Sequence, residues 1–155
     1  MIHSTLCYVT RGEEVLMLHR VKKKQDINKD KWIGIGGKLE ENESPDECIL
    51  REAKEETGLT LTSLRCRGIV TFINDCCEGE LMYLFTADGF TGELIRCDEG
   101  DLQWVHRDFL NKLPKWEGDQ LFLDLLWQDA PFFLLTLRYH GEQLTEAVLN
   151  GKRVK

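Results

Sequence analysis

The sequence predicts an α+β domain in which a mixed β-sheet carries a helix on either side. Three observations predict it. Short β-type apolar runs recur along the chain and are bounded by turn residues. Two segments instead carry helical signals, one through its caps and one through apolar spacing. A chain of 155 residues has the length of one domain, residues 1–155, and can bury roughly 70% of its unfolded surface.

The elements follow in order. Leu6–Val9 and Glu14–Val21 flank the turn Thr10–Glu13 and read as a hairpin. Lys22–Asp30 is polar and reads as an exposed loop. Trp32–Gly37 alternates large and small residues, the pattern of a short strand that breaks into a glycine turn. A helix comes next. Ser44 is its N-cap, Pro45 suits the first helical position, and Glu47 completes a capping box. Gly58 sits where a left-handed residue ends a helix. On this helix Ile49, Ala53 and, at the edge, Cys48 face the core, while Glu52, Glu55 and Glu56 face away.

Gly68–Asn74 and Leu81–Phe90, joined across Asp75–Glu80, read as a long hairpin. Leu102–His106 is a further short strand and Asp108–Leu113 a helical turn. Gly118–Gln128 places Leu121, Phe122, Leu125 and Leu126 at helical spacing. Phe132–Tyr139 and Leu144–Asn150 close the chain as a last hairpin across His140–Gln143.

Composition narrows the function. A net charge of −7 disfavours a nucleic acid polymer or an anionic membrane as partner. It leaves room for a small anion bridged by a metal. No apolar run reaches the length of about 18 residues that a membrane span needs, and the N-terminal segment reads as a first strand, not a signal peptide. The six cysteines form no CxxC pair and no zinc-type set with histidine. They read as free thiols of a reducing cytosol, so a cytoplasmic protein is expected.

The most informative stretch is Gly37–Leu59, GKLEENESPDECILREAKEETGL. Glu52, Glu55 and Glu56 stand at i, i+3 and i+4, on one helical face, where like charges destabilise the helix. A positive partner is expected among them, and a hard divalent cation with oxygen ligands, Mg²⁺ above all, fits. Gly36 and Gly37 let backbone approach a metal or a phosphate closely.

These residues resemble the Nudix hydrolases. The family's box is Gly, five residues, Glu, seven residues, then Arg-Glu-apolar-any-Glu-Glu-any-Gly-apolar. Gly37, Glu43, Arg51, Glu52, Ala53, Glu55, Glu56, Gly58 and Leu59 match every defined position. The resemblance implies a Nudix-type α/β/α sandwich with a catalytic loop–helix–loop. It implies that Glu52, Glu55 and Glu56 bind Mg²⁺ (Mn²⁺ is a possible substitute), with the Gly36 carbonyl as a further ligand. Glu43 and Arg51 would pair to hold the loop on the helix, and Lys38 would lie beside the phosphates. The chemistry implied is attack of metal-activated water on phosphorus within a diphosphate linkage.

Beyond the box the chain looks like the MutT-like branch that hydrolyses oxidised purine nucleoside triphosphates such as 8-oxo-dGTP, an activity of nucleotide-pool sanitation. Glu99 falls where that branch places an additional acidic residue, as metal ligand or general base. Trp116 would stack on a purine, Asp119 would hydrogen-bond its edge, Arg20 would face the phosphates, and Thr5 would line the base pocket. Position 33 departs from the pattern: the animal enzymes of this branch carry Asn there, and Ile33 makes no such hydrogen bonds. Two other readings remain open at this point. One is a Nudix pyrophosphatase acting on ADP-ribose or another nucleoside diphosphate derivative; the other is a nucleotide-binding sensor without turnover. The expected partner is a nucleotide, and the expected assembly a monomer or homodimer.

Overall fold

The computed structural model describes all 155 residues. Its strands are β1 (Ile2–Arg11), β2 (Glu14–His19), β3 (Trp32–Ile33), β4 (Thr60–Asn74), β5 (Cys77–Thr91), β6 (Asp101–His106), β7 (Phe133–His140), β8 (Gln143–Leu149) and β9 (Lys152–Arg153). The helices are α1 (Pro45–Thr57) and α2 (Asp119–Trp127), with a 3₁₀ turn at Arg107–Lys112. All strands join one mixed sheet in the order β3-β2-β1-β5-β4-β7-β8-β9, with β6 on β2. The β1–β5 and β4–β7 pairs are parallel and the rest antiparallel.

Period-2 alternation splits the core in two. On β1 and β2, Tyr8, Val15 and Met17 join one cluster, with Phe122, Leu123 and Leu126 of α2. Their neighbours Cys7, Val9, Leu16 and Leu18 join the other, with Ile49 and Ala53 of α1. A sheet with one helix on each face is the expected α/β/α sandwich.

Helix α1 begins and ends as its caps predict. Ser44 accepts from the Glu47 backbone N–H, and the Glu47 side chain returns to the Ser44 backbone N–H. Gly58, at φ +80°, lets the chain turn left-handed, and its N–H bonds the Lys54 carbonyl.

Several bounds differ from the sequence reading. Strand β4 starts at Thr60, eight residues before the expected Gly68. Register shifts against β5 fall at Leu61/Ser63, Ser63/Arg65 and Cys66/Gly68. Bulges of this kind break the period-2 pattern that reveals a strand. The β4–β5 turn is only Asp75–Cys76, because Asn74 pairs with Cys77. The two-residue β9 carries no apolar signal and was not expected.

Candidate active site

The glycine segment is held on β1 by backbone bonds. Cys7 and Ile35 exchange hydrogen bonds, Thr5 N–H donates to the Gly37 carbonyl at 2.8 Å, and Leu39 N–H donates to His3. The approach is close enough to require glycine: a Cβ on Gly36 would stand 1.9 Å from the Thr5 carbonyl oxygen. A Cβ on Gly37 would stand 2.4 Å from the Glu52 carboxyl carbon. The loop thus lies directly over the glutamate face of α1.

That lid changes the glutamates. They do not all face solvent, as helical spacing alone suggested. Only Glu55 is open, with its side chain 60% exposed; Glu52 is largely covered. Glu56 is buried. Burial is the first cause that pushes the Glu56 carboxyl well above the usual range. Hydrogen bonding of the protonated carboxyl to Glu52 and the charges of Glu99 and Glu52 add to it, while the Gly36 backbone N–H opposes it. Its Oε1 is buried with no hydrogen-bond partner.

Arg51 sits at the centre of the acids. Its Nε and Nη2 form a fork on the two Glu43 oxygens at 2.7 and 2.9 Å. Its Nη1 reaches Glu52 at 2.9 Å and Glu55 at 3.2 Å, and Nη2 also donates to the Lys38 carbonyl. The expected Glu43–Arg51 pair is therefore present. That fork, with the Glu40 backbone N–H behind it, holds the Glu43 carboxyl down at about 2.

The remaining residues are placed as follows. Arg20 donates to Asp26 at 2.7 Å and to Glu99 at 2.9 Å, so its guanidinium is engaged rather than free for phosphate. Burial works against its charge, and Asp26, Glu99 and Glu56 outweigh that effect and raise its pKa. Glu99, which also meets Lys23 at 3.2 Å, is thereby fixed near Glu56. Lys38 lines the cleft and makes no side-chain hydrogen bond within the protein. Thr5 also lines the cleft, but its hydroxyl donates to the Gly37 carbonyl and contacts the Cys48 thiol. The geometry gives Thr5 a loop-pinning task that the sequence reading did not foresee.

A single cleft of about 830 Å³ links the two ends of the site. Gly37, Lys38 and Arg51 border one end; Phe72, Trp116 and Asp119 border the other. Trp116 forms part of the wall more than a free platform. It is 5% exposed, packs edgewise with Phe72 and Tyr139, and lies 4.6 Å beneath the Lys31 ammonium. Asp119, the first residue of α2, is buried, and burial pushes its carboxyl up to about 7 against the opposing pull of Lys115 and Lys31.

Sequence reasoning missed Phe72 and Asn28 as cleft residues. Phe72 carried a signal, since alternation within Gly68–Asn74 sets it on one sheet face. Asn28 carried none, because one polar residue in a polar loop looks like any other.

No three acids converge on a common point, and Glu55 is bonded to Arg51 Nη1 at 3.2 Å. The donor set nonetheless fits a hard cation. Glu56 leaves a buried oxygen unpaired beside Glu52 and the Gly36 backbone, and buried oxygens of this kind call for a partner.

Sheet, helices and an intact glutamate box beneath a glycine lid define a Nudix hydrolase. The chain belongs to that family: the NUDIX domain matches residues 3–126. It is 31% identical over 157 residues to YvcI, an uncharacterized Nudix hydrolase of Bacillus subtilis (strain 168), covering 97% of this chain and 96% of that one. It is 35% identical over 130 residues to the oxidized purine nucleoside triphosphate hydrolase of Danio rerio, covering 83% and 81%. Among solved structures it is similar to the mutator MutT protein from Bacillus halodurans, with a TM-score of 0.85, 28% identity, and 97% and 98% of the two chains covered. Nudix hydrolases act on nucleotide substrates and generally use a divalent metal such as Mg²⁺. No helix is long and apolar enough to cross a membrane.

Proposed function

We propose that this protein hydrolyses purine nucleoside triphosphates, oxidised ones such as 8-oxo-dGTP included, to the monophosphate and pyrophosphate, with Mg²⁺. The observation that carries the reading is the continuous cleft from Lys38 and Arg51 to Phe72, Trp116 and Asp119. It has a charged end for phosphates and an aromatic, hydrogen-bonding end for a base.

In this reading Glu52, Glu55 and Glu56 hold the cation with the Gly36 carbonyl, and Glu99 is a further ligand or the general base. The cation, when bound, supplies an acidified water and neutralises charge on phosphoryl oxygens. The chain's own part is positional. Arg51 and Glu43 lock the lid to α1 through their fork, and Thr5 ties the lid to β1. Lys38 faces the phosphates, Arg20 acts by orienting Glu99, and Gly37 brings backbone against the substrate. Asp119 meets the edge of the base and Trp116 forms the wall beside it. Similarity to the Danio rerio enzyme supports the substrate class.

The cleft is also lined by Ser4, beside Lys38, and by Glu78 and Glu80, beyond the residues the first reading uses. These additional groups favour a second reading, a nucleoside diphosphate carrying another group. One panel decides: 8-oxo-dGTP, dGTP and ADP-ribose with Mg²⁺, compared by kcat/KM, with products separated. The proposal expects the triphosphates to lead and pyrophosphate to appear. Orthophosphate as the first product, or ADP-ribose as the leading substrate, overturns it.

A further inference from the structure

Ile33 lines the base end of the cleft with a hydrocarbon side chain and offers a base no hydrogen bond. A polar group faces the same space from a different element. Asn28, in the loop between β2 and β3, lines the cleft and accepts a hydrogen bond from the Trp116 indole N–H at 2.7 Å. An indole nitrogen only donates. The Asn28 atom facing it is therefore the amide oxygen, and flipping the amide would set donor against donor.

The backbone of Asn28 is held as well. Its N–H donates to Asp26 Oδ1 at 3.0 Å, and its carbonyl accepts from Lys31 N–H at 2.9 Å. Asp26 is in turn clamped by Arg20. Position and orientation are both set, and no protein acceptor takes the Asn28 Nδ2 hydrogens. They form a pre-aligned donor in a cleft wall shared with Ile33, Phe72, Trp116 and the Asp119 carboxyl.

The geometry points to Asn28 as a specificity-determining residue that reads a ring carbonyl of the base, selecting purines with an oxo group on that edge over purines with an amino group. An amino group there would oppose donor with donor. A site that leaves a polar group unpaired in the wrong complex discriminates strongly. The inference rests on the reading that a purine occupies this end of the cleft.

The test compares dGTP and dITP, which carry a carbonyl at C6, with dATP, which carries an amine there; dITP removes the 2-amino group as an explanation. Wild-type protein should favour both oxo-purines by kcat/KM. Asn28→Asp keeps the acceptor for Trp116 and removes the donor, so the dGTP:dATP and dITP:dATP ratios should fall by about 10- to 100-fold. Asn28→Ala serves as the second variant, with the same fall expected, and melting curves confirm that each is folded. Equal losses on all three nucleotides would reduce Asn28 to a support for Trp116 and overturn the inference. So would a wild-type enzyme indifferent to the C6 group. Failure of the parent reading looks different: no triphosphate is hydrolysed, whatever its base.

Discussion

Asp119 offers the sharpest quantitative prediction, because its burden is electrostatic and separable from the glutamate box. The carboxyl is buried and raised to about 7. Burial is the leading cause; Lys115 and Lys31 pull the other way, and the neighbouring Tyr8 and Tyr139 are themselves pushed up, in part by the Asp119 charge. Below about pH 4 both folded and unfolded chains hold the proton, so Asp119 costs nothing. Between about pH 4 and 7 the unfolded chain releases the proton while the folded one retains it, and stability falls as pH rises. Above about pH 7 the folded group ionises and the full cost is present. The gap from 3.8 to about 7 sets a ceiling of about 4 kcal/mol. Water reaching the group through the cleft lowers the expected value to about 2–3 kcal/mol. Asp119→Asn removes this term at nearly constant volume. Its melting temperature should match wild type near pH 4 and exceed it by roughly 4–12 °C at pH 8. Calorimetry of both proteins across that range is the assay. Parallel curves, or a variant less stable than wild type at pH 8, would refute the assigned cost.

Four further predictions concern the box and the glycine lid over it. Arg51→Ala should lower kcat/KM about 10- to 100-fold by releasing Glu43, Glu52 and Glu55 together. Arg51→Lys should not restore it, since a lysine cannot make the two-pronged bond to Glu43; steady-state kinetics of the pair decide. Glu56→Gln should cut turnover by more than about 100-fold without lowering the melting temperature, because the buried group it neutralises already resists ionisation. Mg²⁺ at about 100 times its Kd should stabilise wild type by about 2.7 kcal/mol, with a smaller rise in Glu56→Gln, read by thermal melting without substrate. Gly36→Ala should cost at least about 3 kcal/mol in urea denaturation, because the new Cβ meets backbone at 1.9 Å and has no flexible neighbour to displace.

How far the sequence discloses this protein depends on chain distance. The lid, Arg51 and the glutamates lie within one short stretch, so fixed spacing records their geometry and helical periodicity translates it. The caps of α1 were legible for the same reason, since each joins neighbours in sequence. The base end draws on Asn28, Phe72, Trp116 and Asp119, which come from separate elements. No spacing rule connects them, and only a sheet that sets β1 parallel to β5 and β4 parallel to β7 brings their elements together. Strand β4 is legible in the sequence only from Gly68 onward, because its earlier bulges scramble the alternation that marks a strand.

The crowded glutamates also have a different resolution from the one their spacing suggested. Periodicity demanded a positive partner and pointed to a metal. The chain supplies part of that charge itself: Arg51 lies within hydrogen-bond reach of Glu43, Glu52 and Glu55. Of the three helix glutamates only Glu56 remains outside its reach, buried beside Glu52 and holding one unpaired oxygen. Arg51 offsets part of the acidic charge in the folded chain. In the proposed function the cation would join Glu52 and Glu55 and meet the need that Arg51 leaves at Glu56. This division predicts that Arg51→Ala and Glu56→Gln differ in kind. The first should weaken the fold in the absence of metal. The second should leave the fold intact and abolish most of the stabilisation that Mg²⁺ provides. Melting curves with and without Mg²⁺ on both variants separate the two roles, and identical responses would show that the acids act as one undivided cluster.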